Sequence, residues 1–200
     1  MNEKDASCTI KIFMLGNFSV GKTSLINKFV YNKYKEFILP TIGFNFASKN
    51  IILPNENKEV KICFHDTSGQ ERYRSIAFNL INSSNGAILT YDITNKESFK
   101  AIPDWIKSVR EHKGNDFPIA LIGNKCDLEK DREVEIEEGK ELARKYGFLF
   151  FETSSKEGNN VQESILELAL KIYEQKKKEK EGKNAIKLKI DEKPIEKCKC

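Results

Sequence analysis

The stretch Gly16-Asn17-Phe18-Ser19-Val20-Gly21-Lys22-Thr23 constrains this chain more than any other. An apolar run, Ile10 to Leu15, precedes it, and a helical pattern with Leu25, Ile26, Phe29 and Val30 follows. The order is strand, tight loop, helix, with the spacing G-x-x-x-x-G-K-T. Such a loop curls its backbone N–H groups around a phosphate, and the helix behind it adds its dipole and its unpaired donors. Lys22 can then reach the outer phosphates, and the Thr23 hydroxyl can ligate Mg²⁺.

The rest of the chain gives that loop a sheet to sit on. Phe44 to Leu53 and Val60 to Phe64 alternate apolar and polar residues across the turn-rich Pro54 to Lys58, which predicts an antiparallel pair. Ala87 to Tyr91, Ile119 to Ile122 and Phe148 to Phe151 read as short buried strands. Between them, Glu97 to His112, Ile136 to Tyr146 and Val161 to Tyr173 carry helical periodicity, with Gly147 closing the second. Strands alternating with helices predict an α/β fold with a mainly parallel sheet, one antiparallel edge strand and helices on both faces. The ligand of such a sheet lies beyond the carboxyl ends of its strands.

Charge and cysteines limit the partners. The formal charge is +4, yet residues from Lys171 onward carry eleven Lys against six Asp and Glu, so the preceding body is close to neutral. That argues against a nucleic-acid-binding body. It favours a tail attracted to anionic membrane. Lys177 to Cys200 reads as a flexible segment, with residues 1–176 forming the folded domain. No apolar run approaches the ~18 residues of a membrane span, and Met1 to Ser7 lacks the apolar stretch of a signal peptide, so a cytosolic chain is expected. Cys8, Cys63 and Cys126 lie in or beside apolar segments as free thiols, and no Cys or His spacing suggests zinc.

Three further motifs follow strands. In Asp66-Thr67-Ser68-Gly69-Gln70-Glu71 the Asp can hold Mg²⁺ through water, the Gly69 N–H can meet a γ-phosphate, and the Gln70 amide can orient an attacking water. In Asn124-Lys125-Cys126-Asp127 the carboxylate can accept from guanine N1–H and the 2-amino group, a donor pair that adenine lacks. Asn124 would brace that loop, and the Lys125 stem would lie along the base. In Ser154-Ser155-Lys156 backbone N–H groups can meet the guanine carbonyl. GTP is therefore favoured over ATP.

Together, Gly16–Thr23, Thr41, Asp66–Gln70, Asn124–Asp127 and Ser154–Lys156 resemble the five nucleotide motifs of the Ras-like small GTPases. Thr41-Ile42-Gly43-Phe44-Asn45-Phe46, Glu71-Arg72-Tyr73-Arg74-Ser75-Ile76 and the terminal Cys198-Lys199-Cys200 are similar to the Rab family in particular. Ser19 to Ile26, Phe46 to Lys49 and Ile136 to Gly139 lean toward its Golgi-associated branch. The resemblance implies nucleotide contacts from Phe18, Ser19, Val20, Gly21, Lys22, Thr23 and Ser24, with Tyr34 stacked on the guanine. Thr23 and Thr41 would be direct Mg²⁺ ligands, Thr41 only in the GTP state. Residues 35–46 and 66–81 would be the two switches, with Ile42, Gly43, Phe44, Phe46, His65, Tyr73 and Leu80 among the positions that effectors read.

The resemblance also implies geranylgeranyl groups on Cys198 and Cys200. It implies a monomer that cycles between cytosol and the cytoplasmic face of Golgi or endosomal membranes. Its partners would be an escort protein, a GDP-dissociation inhibitor (GDI), an exchange factor, a GTPase-activating protein (GAP) and effectors. The chain departs from the family at three informative places. Phe18 stands where many members carry a small residue and could crowd Gln70, which would slow hydrolysis and leave a GTP-locked binding module. His65 and Leu80 replace a Trp and a Tyr of the family's effector-reading aromatic triad.

Overall fold

A computed structural model describes residues 8–39, 41, 43–54, 56–67 and 81–191, with side chains as far as Glu181. The strands are β1 (Cys8–Leu15), β2 (Phe44–Ile52), β3 (Glu59–Thr67), β4 (Gly86–Asp92), β5 (Ile119–Asn124) and β6 (Leu149–Thr153). They form one sheet in the order β2-β3-β1-β4-β5-β6. The β2–β3 pair is antiparallel and the other pairs are parallel. The described helices are α1 (Lys22–Tyr31), α2 (Lys96–Lys100), α3 (Ile102–Lys113), α4 (Ile136–Tyr146) and α5 (Val161–Asp191). This is the α/β architecture expected of the sequence, with its antiparallel strand at the edge.

Strand periodicity builds the two faces. Along β1, Ile10, Ile12 and Met14 point into a core closed by Leu25, Ile26 and Phe29 of α1 and by Ile165, Leu168 and Ile172 of α5. Phe13 and Leu15 point the other way, into a core with Ile102, Trp105, Ile106 and Val109 of α3 and Ala143 of α4. β4 and β5 are buried throughout, as strands covered on both faces must be. Among the described residues no helix is long and apolar enough to cross a membrane.

Three boundaries differ from the sequence reading. Glu97 to His112 is two helices, parted at Ala101. Pro103 sits in the first turn of α3 and has no N–H, so the ladder cannot run through. The polar motifs do not merely follow the strands. Asp66 and Thr67 end β3, Asn124 ends β5 and Thr153 ends β6, so ladder hydrogen bonds fix their backbone.

Finally, α5 stays helical to Asp191, through Gly182 and well into the segment read as a flexible tail from Lys177. Lys, Glu and Gln are good helix formers, and one Gly costs only about 1 kcal/mol in a helix. The Lys176 ammonium also pins α5 to the Thr9 carbonyl at 2.8 Å and to Asn85 Oδ1 at 2.9 Å. Lys177 pairs with Glu56 at 3.4 Å.

Candidate nucleotide-binding site

The loop between β1 and α1 is shaped by glycine. Gly16 has φ +134°, and a Cβ there would lie 2.1 Å from the Thr90 carbonyl oxygen. Gly21 has φ +94°, and a Cβ there would meet Asn124 Nδ2 at 2.2 Å. Gly21 is also the N-cap of α1, which has no side-chain cap and no acidic residue in its first turn. By contrast, Asn95 caps α2 and a Glu135/Glu138 capping box starts α4, while α3, also without a side-chain cap, carries Asp104 in its first turn. The first-turn N–H donors and the positive dipole end of α1 are therefore left for an anion.

Lys22 completes the anion site. It is 6% exposed, and its ammonium donates to the Gly16 carbonyl at 2.9 Å and the Asn17 carbonyl at 2.8 Å. Burial lowers its pKa to about 8, against the opposing pull of Asp66. A phosphate replaces those neutral carbonyls by charged oxygens, which are the stronger acceptors.

Beside it three oxygens converge. Thr23 Oγ1 donates to Asp66 Oδ2 at 2.6 Å and lies 3.1 Å from Thr41 Oγ1. The second carboxylate oxygen, Asp66 Oδ1, is buried with no hydrogen-bond partner among the described residues. Burial raises the Asp66 pKa, while the Thr23 hydroxyl, Lys22, Thr41 and the Thr67 N–H work against that shift. Hard oxygens with one acceptor unsatisfied suit Mg²⁺, which takes few protein ligands and shares the rest with phosphate and water. The residues present fit that ion.

A cleft of about 210 Å³ opens above these groups, at the carboxyl ends of the strands. Ser19 and Gly21 of the loop and Ser24 of α1 line it, together with Tyr34, Thr41 and Lys125. Phe18 lies at its mouth with 54% of its surface exposed. The base motifs meet through Asn124, which is 1% exposed. Its Nδ2 donates to the Val20 carbonyl at 2.9 Å. Its Oδ1 accepts from Thr153 Oγ1 and Ser155 Oγ, both at 3.1 Å, and from Ser155 N at 3.3 Å. One amide thus ties the phosphate loop to both loops read as guanine-recognising. Ser154 Oγ donates to Asp127 Oδ1 at 2.6 Å and so fixes that carboxylate, while Lys156 is exposed.

Sequence reasoning missed Asp92. It ends β4, is nearly buried, and pairs with Lys125 at 2.5 Å while accepting from Thr94 N and Thr94 Oγ1. Lys125 itself is held at φ +68°. The signal was available, since Asp92 is a polar residue at the carboxyl end of a buried strand, where the other motifs lie. The effector positions fare differently. Phe46 is 62% exposed, Gly43 and Phe44 are described and half-buried, and His65 is only 6% exposed, edge-on to the Phe46 ring at 5.0 Å. His65 was read as a residue that partners touch; it supports Phe46 from below instead. Burial, then nearby Lys11, lowers its pKa, and its Nδ1 has no partner among the described residues. Ile42, Gly69, Gln70, Tyr73, Leu80, Cys198 and Cys200 lie outside the described residues.

An α/β sheet of this order, with a glycine-shaped anion loop from β1 to α1 and a cleft over the strand ends, defines the P-loop class of nucleotide-binding proteins. Within it, a family model described as Ras, the Ras family, matches residues 11–174, and the chain belongs to that family. It is a GTP-binding small GTPase switch, acting on guanine nucleotides with the Mg²⁺ that typically accompanies them.

Proposed function

We propose that this Ras-family chain is a Rab-type switch that regulates vesicle traffic on the cytosolic face of Golgi or endosomal membranes. GTP would order residues 35–46 and 66–81 for effectors, and hydrolysis would release them. The observation that carries the switch reading is Thr41, a residue of the exposed segment before β2 whose hydroxyl reaches the Thr23–Asp66 pair at the anion site. Occupancy of that site therefore has a direct line to the segment that partners would read.

In hydrolysis Gln70 would orient water for in-line attack, and Lys22 with the first-turn N–H groups of α1 would stabilise charge on the phosphate oxygens. Thr23 and Thr41 would hold Mg²⁺, with Asp66 behind a water, and the ion would neutralise further phosphate charge. Asp127 would select guanine, with Ser154 fixing its carboxylate, and Tyr34 and Lys125 would flank the base. Single-turnover hydrolysis by the full chain is expected at ~10⁻⁴ to 10⁻³ s⁻¹ and to be lost in Gln70→Leu. Tightly bound GTP left intact in the parent chain would instead support a GTP-locked binding module. Phe18, at the mouth of the cleft, favours that second reading, and Phe18→Gly would then restore turnover.

The Rab reading rests on Thr41 to Phe46, on Glu71 to Ile76 and on Cys198-Lys199-Cys200 behind a Lys-rich segment. Two long chains give stable anchoring where one is marginal, and the lysines add attraction to anionic lipid. An escort protein, a GDI, an exchange factor and a GAP would serve the cycle. Replacing Cys198 and Cys200 together by Ser is expected to move the protein into the soluble fraction of cells. A doubly substituted protein still on membranes would refute the anchoring.

A further inference from the structure

The phosphate loop is held at two shoulders by side chains from other elements. At one, Asn124 Nδ2 holds the Val20 carbonyl. At the other, the indole N–H of Trp105 donates to Asn17 Oδ1 at 3.1 Å, across 88 residues of sequence. Between them, Phe18 and Ser19 are exposed, and Ser19 is at φ +64°.

Trp105 reaches the loop because of where α3 begins. Its backbone N–H bonds the Ala101 carbonyl at 3.3 Å, one turn after the α2–α3 break. That sets the ring, 4% exposed, in the core with Phe13 and Leu15, the strand residues that lead into Gly16. A buried indole has a large apolar body and a single N–H that needs a partner. Asn17 supplies it. The same residue's carbonyl accepts the Lys22 ammonium at 2.8 Å. Asn17 is thus bonded through its side chain to α3 and through its main chain to the lysine of the anion site.

We propose that Trp105 is a positioning residue for the phosphate loop, holding Asn17 through its indole N–H so that the Asn17 carbonyl and Lys22 are set for phosphate. This rests on the nucleotide reading of the site. Phosphate draws the Lys22 ammonium away from the Asn17 carbonyl, and the change passes to the indole through one residue. Trp105 is the chain's only tryptophan, so its emission reports that event without a label.

The test uses the full chain loaded with GDP, as Trp105→Phe, Asn17→Ala and the double variant. Phenylalanine keeps an aromatic ring but loses the N–H together with part of the indole, whereas Asn17→Ala removes the same bond and leaves the indole in place. Each single variant is expected to release GDP about tenfold faster, and the double variant no faster than either, because both remove one interaction. Unchanged release in both single variants, or multiplied effects in the double, would overturn the proposal. Fluorescence covers the case in which Trp105→Phe fails to fold. Stripping GDP with EDTA is expected to shift the Trp105 emission of the parent chain, and Asn17→Ala to lose that shift while melting at the same temperature. An emission indifferent to nucleotide in the parent chain would refute the coupling. A parent chain that binds no GDP would overturn the nucleotide reading as well, whereas GDP bound normally by every variant would overturn this inference alone.

Discussion

Asn124→Ala is expected to release bound guanine nucleotide about 10²- to 10³-fold faster, measured as dissociation of a fluorescent GDP in excess unlabelled GDP. The size follows from what the side chain holds together. Its amide donates to the phosphate loop at Val20 and accepts from Thr153 and twice from Ser155, all out of water. Alanine leaves a buried carbonyl, two hydroxyls and a backbone N–H short of a partner, and each such loss costs about 1–3 kcal/mol when nothing replaces it. The loops can recover part of that by relaxing, so about 3–4 kcal/mol should appear in nucleotide retention rather than the full sum. The phosphate loop and the Ser154–Lys156 loop then move independently, and a ligand that bridges them loses its preorganised site. A release rate within threefold of the parent would show that Asn124 holds the loops without contributing to the ligand.

Lys22→Met is expected to weaken GDP by about 10²- to 10³-fold while changing the melting temperature of the nucleotide-free protein little. Taking an ammonium out of water is costly, and the lowered pKa records that cost. Methionine fills similar space without the charge, so the free protein is relieved of that penalty as it loses two bonds to carbonyls. The complex, by contrast, loses the only cation that the loop supplies. The pH dependence of the parent chain has a definite sign. Free Lys22 titrates near pH 8, and phosphate oxygens must raise that value, so binding takes up a proton above pH 8. The contribution of Lys22 to GDP affinity should be flat below pH 8 and then fall, by at most tenfold per pH unit, with that fall absent in Lys22→Met. For folding of the nucleotide-free chain the sign is opposite. The burial penalty is present in full below pH 8 and relieved between pH 8 and the ordinary lysine value of 10.5, so this group adds stability as pH rises.

Much of this was legible in the residues. The order strand, G-x-x-x-x-G-K-T, helix determined where the anion site lies, because only that spacing turns a strand end into a ring of N–H donors facing a helix N-terminus. The alternation of Phe44 to Leu53 against Val60 to Phe64 determined the antiparallel edge, since a short turn cannot join parallel strands. The motif residues Thr23, Asp66, Asn124 and Asp127 were read from their type and spacing, and the fold brings them to one end of the sheet.

Tertiary structure decided the connections between motifs. Asn124 was read as a brace for its own loop, yet its partners are Val20, Thr153 and Ser155, on segments distant in sequence. The pairing of Asp92 with Lys125, the bond from Trp105 to Asn17 and the place of His65 beneath Phe46 were not readable. Each depends on which side chains the strand order brings into contact, and periodicity fixes a residue's face but not its neighbour across the sheet. The helix that runs past Lys176 is a related case. Its composition resembles a solvated tail, and contacts to Thr9, Asn85 and Glu56 hold its first part as helix. Sequence therefore determined the class of ligand and the residues proposed to meet it. Packing decided how those residues are held to one another, because hydrogen bonds between distant segments exist only once the strand order has placed their ends side by side.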